Sequence, residues 1–305
     1  MNRHALRLLA VWAAACASIA SAGCMVTVDS SEFTAREEKR FEVRGVPDVT
    51  LVTFDGSLEI RSWDQPAVQV EVEKRGPNKQ LAEAIEVRAE QAGNTIKVEV
   101  KKPAGETSGF FRQSPSAKVV ALVPARAKVV ARSGDGSITV ERVEGDLDLD
   151  TGDGSVRGYG LAGRLRVHTG DGSVRLEDVD GTIDVDTSDG TVNIGGKLQA
   201  VKVVTGDGTV VVRAEDGSAM ADQWEIRTGD GGVRLELPAG FAANLDASTA
   251  DGRVRVEGLP AEEGEAPAGS PRDESARHDV KRALGGGGKL LRLRTGSGTI
   301  TVTGL

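Results

Sequence analysis

The chain has 305 residues, of which 39 are glycine and 3% are aromatic, and its formal net charge is −8. The acidic balance argues against a nucleic-acid partner, because contacts with phosphate backbones need a basic face. The aromatic content is low for a globular enzyme or a sugar-stacking cleft, and glycines without a Gly-X-Y period exclude collagen and favour frequent tight turns.

The first residues have the pattern of an export signal. Basic residues precede an apolar run over residues 8–20, which is too short to span a bilayer, and small residues follow it. Ser21-Ala22-Gly23-Cys24 resembles a bacterial lipobox, with cleavage before Cys24 and lipid on its thiol, whereas Ala20-Ser21-Ala22 fits cleavage before Gly23. We predict a signal peptide over residues 1–23 and lipidation at Cys24, and cleavage before Gly23 is the alternative.

Cysteine usage limits how the exported chain is stabilised. The other cysteine, Cys16, lies inside the apolar run, so the exported chain keeps at most one and cannot form a disulfide framework. No later stretch of sequence is long and apolar enough to cross a membrane. We expect a protein of the bacterial cell envelope, anchored to a membrane by lipid on Cys24 and facing the periplasm or the surface.

The segment before the regular repeats is harder to assign. Residues 24–40 are polar and predict a tether. Residues 41–128 contain one turn of the repeat type, Asp55-Gly56-Ser57, and predict irregular first coils. The apolar spacing over residues 78–91 is helical, so we expect one short helix there.

Residues 129–258 repeat with a short period. Thr151-Gly152-Asp153-Gly154-Ser155-Val156 returns in closely related form after 18, 36 and 54 residues. The spacing of the turn aspartates lengthens after Asp207. The column comprises Asp135, Asp153, Asp171, Asp189, Asp207, Asp230 and Asp251. We predict an all-β, single-domain parallel β-solenoid (β-helix) over residues 41–305, with 18–23-residue coils stacked about 4.8 Å apart.

The turn residues and the end of the chain complete this prediction. We attribute the turn glycines to positive φ, and we expect each aspartate to accept hydrogen bonds within its own turn. Residues 259–288 are rich in Ala, Glu, Gly and Pro and predict a flexible excursion. Residues 289–305 are then expected to return as the coil that closes the stack.

The strands alternate apolar and polar residues, so one face is buried and the other is wet. Aligned outward residues mostly alternate in charge, as favourable cross-strand pairs require. One column contains Asp148, Arg166, Asp184, Lys202, Glu225, Asp246 and Arg292, and its neighbour contains Arg132, Asp150, His168 and Asp186. His168 is expected between two aspartates, which allows a metal-binding or pH-sensing role beside the simpler interpretation of a solvated charge ladder.

These features together resemble a bacterial family of adhesin-like β-repeat proteins, known as domain of unknown function 4097, over residues 41–305. The resemblance rests on Asp55-Gly56-Ser57-Leu58-Glu59-Ile60 followed by Trp63-Asp64, on Val119-Val120-Ala121-Leu122-Val123-Pro124 leading into Ser133-Gly134-Asp135-Gly136-Ser137-Ile138, on the repeats, and on Thr295-Gly296-Ser297-Gly298-Thr299-Ile300. The resemblance implies a β-solenoid, export and often lipid anchoring. It supplies no catalytic residues.

The aspartate column is the sharpest candidate for a metal site. Calcium would relieve the repulsion between successive carboxylates, and some β-solenoids bind it through turn aspartates. The glycine-rich nonapeptide of those proteins is absent here, so simple turn formation is the favoured interpretation. Asp146, Asp148 and Asp150 begin like an EF-hand loop, but Arg157 stands where the bidentate glutamate should be. We predict no catalytic residues, no cofactor and no metal site beyond this weak calcium candidate.

The sequence favours a non-catalytic protein that binds, adheres or acts as a scaffold in the envelope, with an unknown envelope protein or polysaccharide as partner. Two alternatives stay open. One is a polysaccharide-active β-helix enzyme, which needs paired carboxylates in a groove that holds sugar. The other is a regulatory component of the envelope stress response.

Overall fold

The computed structural model describes residues 25–29, 32–103, 114–259 and 278–305. Strands make up most of this part, with one short helix, α1 (Lys79–Glu83). The strands are β1 (Met25–Asp29), β2 (Glu32–Glu42), β3 (Asp48–Thr53), β4 (Leu58–Trp63), β5 (Ala67–Gly76), β6 (Glu86–Ala92), β7 (Thr95–Lys101), β8 (Ser116–Pro124), β9 (Lys128–Ser133), β10 (Ile138–Glu141), β11 (Glu144–Thr151), β12 (Val156–Thr169), β13 (Val174–Thr187), β14 (Val192–Asp207), β15 (Val210–Ala214), β16 (Trp224–Asp230), β17 (Val233–Leu237), β18 (Ala243–Glu257), β19 (Asp279–Leu284) and β20 (Leu290–Gly304). The predicted signal peptide, Cys24 and the centre of the predicted excursion lie outside the described residues.

Each regular coil contributes one strand before the Gly-Asp-Gly turn and one after it. β11 lies parallel to β12 with Leu147 opposite Leu165, and β12 lies parallel to β13 with Leu165 opposite Ile183. β12 serves two coils, because its first residues pair with β10 and its last residues pair with β11. Matching positions of successive repeats are therefore physical neighbours, and the predicted parallel β-solenoid is confirmed.

The core follows from the period-two pattern of the strands. Leu165 and Val167 before the turn and Val174 and Leu176 after it are fully buried, whereas the intervening Arg166 and Arg175 point outward. The buried apolar side chains form one cluster that extends from Val43 to Val302. A single coil could not bury its apolar face, so the stacked coils stabilise one another within a single domain.

The spatial order of the coils differs from their order in the sequence at the end formed by the last strands. β20 pairs with β16 and β17 on one side and with β18 on the other. The prediction that residues 289–305 close the stack is therefore corrected, because this segment lies second from the end. The outermost coil is β18, and the antiparallel strand β19 covers its first half. Charge favours this order, because Arg292 separates Glu225 from Asp246.

The opposite end of the stack shows the same exchange. β3 lies between β7 and β9, and β4 lies between β8 and β10. The antiparallel strands β6 and β5 continue beyond β7 and β8. At each end, therefore, two coils are exchanged in the stack relative to their order in the sequence. Alignment of the repeats does not predict this exchange.

Three segment predictions need correction. Residues 32–40 of the expected tether belong to β2, which pairs with β5 from Phe33 to Glu42, and residues 279–284 of the expected excursion form β19. The helix over residues 78–91 is shorter than expected. It begins after Asn78, whose Oδ1 accepts the N–H of Leu81 at 2.9 Å, and it ends at Glu83. The rest becomes β6, because pairing with β7 outweighs local helix preference.

Close stacking requires the turn glycines, whereas positive φ occurs at only some of them. Gly56, Gly231 and Gly298 have positive φ, but Gly154 and Gly172 do not. A Cβ on Gly172 would lie 2.0 Å from the carbonyl oxygen of Gly154, and one on Gly154 would lie 2.2 Å from that of Gly136. The carbonyl of one coil thus occupies the volume that a side chain of the next coil would need.

Gly172→Ala is expected to lower the free energy of unfolding by about 1–3 kcal/mol or more, because the turn backbone must move away from Gly154. Gly195→Ala is the matched control, since a Cβ there would meet no atom within 4 Å. We expect the control to melt at the wild-type temperature or slightly higher. Chemical denaturation measures both variants, and equal losses would contradict the close-stacking explanation.

Candidate functional site

The turn aspartates lie in a file along one ridge of the stack. A Cβ built on Gly152 would lie 2.8 Å from Oδ1 of Asp135, and one on Gly170 would lie 3.2 Å from Oδ1 of Asp153, so each carboxylate sits beside the next turn. Asp55 begins the file, because its Oδ1 would lie 2.9 Å from a Cβ built on Gly134. At the far end, Ser297 separates Asp230 from Asp251.

The carboxylates of this ridge do not act as expected within their own turns. Within the described ranges, the hydrogen bond made by this column runs between coils, from the N–H of Asp207 to Oδ1 of Asp189 at 3.3 Å. No three His, Cys, Asp or Glu side chains of the described residues converge in a way that could hold a metal ion. A preformed calcium cage has about six to eight oxygen ligands, and a single file of exposed carboxylates does not supply one.

A buried threonine column stabilises the turns, and this role was not anticipated from the sequence. Oγ1 of Thr169 donates to the carbonyls of Gly152 and Gly154 in the preceding coil, at 3.2 and 2.9 Å. Thr151 and Thr295 make equivalent pairs of contacts. The sequence feature that could have predicted this role is a threonine at a core-facing position. A buried hydroxyl needs a hydrogen-bond partner, and the turn carbonyls lie nearby.

Thr169→Val is expected to cost about 1–3 kcal/mol of unfolding free energy, because the hydroxyl that donates to the Gly154 carbonyl in a buried hydrogen bond is lost. Thr205→Val provides the control. Its Oγ1 is buried and has no hydrogen-bond partner within the described residues. That variant should be neutral or stabilising in urea denaturation, and a loss equal to that of Thr169→Val would show that the hydroxyl contacts are unimportant.

The outward column before the turn forms a charge ladder. Asp148, Arg166, Asp184 and Lys202 are successive neighbours, and Nζ of Lys202 lies 3.4 Å from Oδ1 of Asp184. With Arg292 inserted between Glu225 and Asp246, the sign alternates over the whole column. Exposed pairs of this kind contribute about 0–1 kcal/mol each, so the ladder sets register more than it adds stability.

The predicted position of His168 is confirmed. It lies opposite Asp150 on one side and Asp186 on the other, and its Nδ1 is 3.5 Å from Oδ1 of Asp186. The imidazole is 55% exposed. The exposure of His168 and the distance between its Nδ1 and Oδ1 of Asp186 fit the interpretation as part of a solvated charge ladder. The metal-binding and pH-sensing roles remain predictions.

Asp246 has the best-defined ion pair of the ladder. Nη2 of Arg294 lies 2.7 Å from its Oδ2, and the same guanidinium donates to the Asp246 carbonyl. The hydrogen bond from Arg294 holds the pKa of Asp246 below its usual value, and partial burial opposes this shift. Because the folded-state pKa is lowered, the stabilisation exists above the unfolded-state pKa and is lost as pH falls through the folded-state value.

We expect Asp246→Asn to be less stable than the wild type at neutral pH and to approach it in acid, below the lowered pKa of Asp246. Arg294→Gln should show the same pH dependence, because it removes the other half of the pair. Denaturation across this acidic range measures both. A stability difference that is independent of pH would assign the effect to packing.

Two tryptophans, Trp224 and Trp63, pack within the fold. Trp224 is fully buried, its ring centroid lies 5.2 Å from that of Phe241, and its Nε1 donates to the Gln199 carbonyl. Trp63 is half-buried beneath the guanidinium of Arg40, at 5.4 Å. These rings are therefore not available as exposed platforms.

The surface of the described residues includes two open clefts. One, of about 450 Å³, lies beside Phe241 and is lined by Met220 and Lys289. The other, of about 340 Å³, lies over Gly195 on the strands that follow the turns. In the part of the chain that the structure describes, no helix has the length and apolar character needed to span a bilayer.

The fold and the ridge define a parallel β-solenoid whose turns form one edge and whose two sheets carry ordered outward columns. The chain belongs to the Toastrack DUF4097 family, whose sequence profile matches residues 49–303. No curated protein matches the chain.

Several solved structures are similar to this chain. A candidate cell adhesion protein of Clostridium sporogenes is 12% identical, with 88% of this chain and 99% of that one covered and a TM-score of 0.31. A candidate adhesin of Bacteroides fragilis is 10% identical, with 88% and 97% covered and a TM-score of 0.39. A candidate lipid-binding protein of Parabacteroides distasonis is 15% identical, with 88% and 96% covered and a TM-score of 0.46.

Proposed function

We propose that the protein is exported, anchored to a membrane of the bacterial envelope through lipid on Cys24, and acts there as a non-catalytic binding or adhesion scaffold. Its partner is an envelope protein or a polysaccharide. The observation that carries this proposal is the array of outward side chains on the strands that precede the turns, which stays in register from Asp148 to Asp246.

The rigidity of this array supports a binding role. Each outward side chain stands on a strand that is paired on both sides within the stack, above a continuous apolar core. A partner that meets such a surface does not have to order it, so less of the interaction free energy is lost on binding. A repeating surface also matches a partner that is itself repetitive or extended.

The position of Cys24 supports an orientation on the membrane. Cys24 immediately precedes β1, which pairs with β2, and β2 pairs with β5 at the end of the stack formed by the first strands. A lipid on Cys24 would hold this end at the bilayer surface. The stack would then project away from the membrane and leave both sheets accessible.

Cys24→Ser is expected to move the protein from the membrane fraction to the soluble fraction, because the lipid anchor is lost. Fractionation of cells that produce the full chain measures this, with the unchanged chain as the control. Membrane retention of the variant would refute lipid anchoring at Cys24 and would leave the binding role to be tested separately.

The binding role is tested with purified residues 25–305 and two immobilised probes: purified envelope polysaccharide and purified envelope proteins. We expect saturable binding to one of them and no change in the length of the polysaccharide over many hours. Absence of saturable binding to both would refute the scaffold.

One observation favours an alternative enzyme role. The cleft over Gly195 holds Glu177 and Glu215 together with Arg213, and paired carboxylates beside basic groups are found in glycosidase sites. Shortening of the polysaccharide by the wild type, abolished in Glu177→Gln, would establish this role and overturn the scaffold proposal.

A further inference from the structure

The last three strands form a module that pairs with the rest of the stack through one strand. β18 pairs with β19 on one side and with β20 on the other, and β20 in turn pairs with β16 and β17 of the next coil. We call residues 243–305 the terminal module and residues 25–237 the body. The chain passes from the body to the module through the loop at residues 238–242.

This connection differs from the connections between regular coils. β12, β13 and β14 each run unbroken from one coil into the next, so the strand after each crossing is held beside the strand before it. β17 and β18 are instead joined by a loop, and β20 lies between them in the stack. Ala239 and Gly240 of this loop are exposed, and a Cβ on Gly240 would meet no atom within 4 Å.

The strand that docks the module lies far from the loop along the chain. Leu237 ends the body, whereas the docking strand β20 begins at Leu290. The loop leads first to β18, which lies on the far side of β20 from the body. Chain connectivity therefore keeps β18 near its own body, but it does not by itself determine which copy of the body β20 pairs with.

The contact between body and module must be covered. Ile226 and Leu235 of the body are fully buried, and they lie opposite the fully buried Leu293 and Val302 of β20. Separation would expose these apolar side chains together with the edges of both sheets, and an open strand edge is a template for pairing with another chain. A body that has opened therefore takes up a terminal module again, either its own or that of a second copy.

The contact is also specific for β20. Arg292 lies opposite Glu225, and Oγ1 of Thr295 donates to the Gly231 carbonyl at 2.8 Å. The same pairs form when the module comes from a second copy, because the exchange of an identical element between protomers preserves its contacts. The occupant that fits an open body is thus this segment of another copy of the chain.

We propose that two copies of this protein exchange their terminal modules, so that β20 of each copy pairs with β16 and β17 of the other. Concentration decides between the closed chain and this dimer, because closure within one chain competes at an effective concentration of millimolar order. Anchoring of many copies to one membrane, as proposed above, raises their local concentration. The exchange adds a second copy as a partner and does not depend on which envelope component the outward columns bind.

Disulfide trapping tests the exchange with purified residues 25–305, which contain no cysteine. Arg234 of β17 lies opposite Thr301 of β20, and the spacing of about 4.8 Å between neighbouring strands suits a disulfide. The Arg234→Cys and Thr301→Cys variants are unfolded together, refolded at increasing concentration and then oxidised. We expect a disulfide-linked pair of the two variants, in an amount that rises with protein concentration.

Two controls accompany this experiment. Arg175→Cys mixed with Asn193→Cys is the matched pair, because these residues lie opposite each other on strands that run unbroken between coils. We expect no linked pair from that mixture. The double variant Arg234→Cys/Thr301→Cys should form its disulfide within one chain when it is refolded in dilute solution, which confirms that the chain folds and that β20 has this register.

Three results would overturn the proposal. One is closure of the double variant within its own chain while the mixed variants give no linked pair at the highest concentration. Another is equal linking of the matched pair, which would reflect random collision. The third is failure of the double variant to close, which would contradict the position of β20. Each of these results would leave the binding of envelope components, and hence the scaffold role, intact.

Discussion

The structure depends on the contact between successive turns. Neighbouring coils approach so closely that the carbonyl of Gly154 fills the space a side chain at Gly172 would need, and Thr169 donates to the carbonyls beneath it. Glycine supplies the space and threonine supplies the hydrogen bond. Together they keep the coils in register, and the buried leucine and valine columns meet only because that register holds.

Register also decides the surface. When the coils stack in register, residues one repeat apart form straight columns. The order of charges along each column then follows from the sequence. The column before the turn alternates in sign, which penalises a one-coil slip, whereas Arg157 and Arg175 break this pattern after the turn. Alternation is therefore a property of that column alone, since like charges also adjoin at Arg227 and Arg294.

The two ends of the stack differ, so the array of outward side chains has one end near the predicted membrane anchor and one end away from it. β20 lies beneath β18 at one end, and β1, β2 and β5 continue the sheet at the other, next to the predicted lipid site at Cys24. The insertion of Arg292 between Glu225 and Asp246 completes the alternation of charge that sequence alignment alone leaves broken. A stack held at one end presents its sheets at increasing distance from the membrane, as a scaffold requires.

The sequence by itself determined the repeating coil, the inward columns, the neighbours of His168 and the family, because a strict 18-residue period with period-two alternation leaves one way to bury the apolar side chains. Only the tertiary structure decided the order of the end coils, the strand at residues 32–42, the short helix and the cleft over Gly195. Those features depend on pairing between segments far apart in the chain, and local residue pattern carries no record of which distant strand will be the partner.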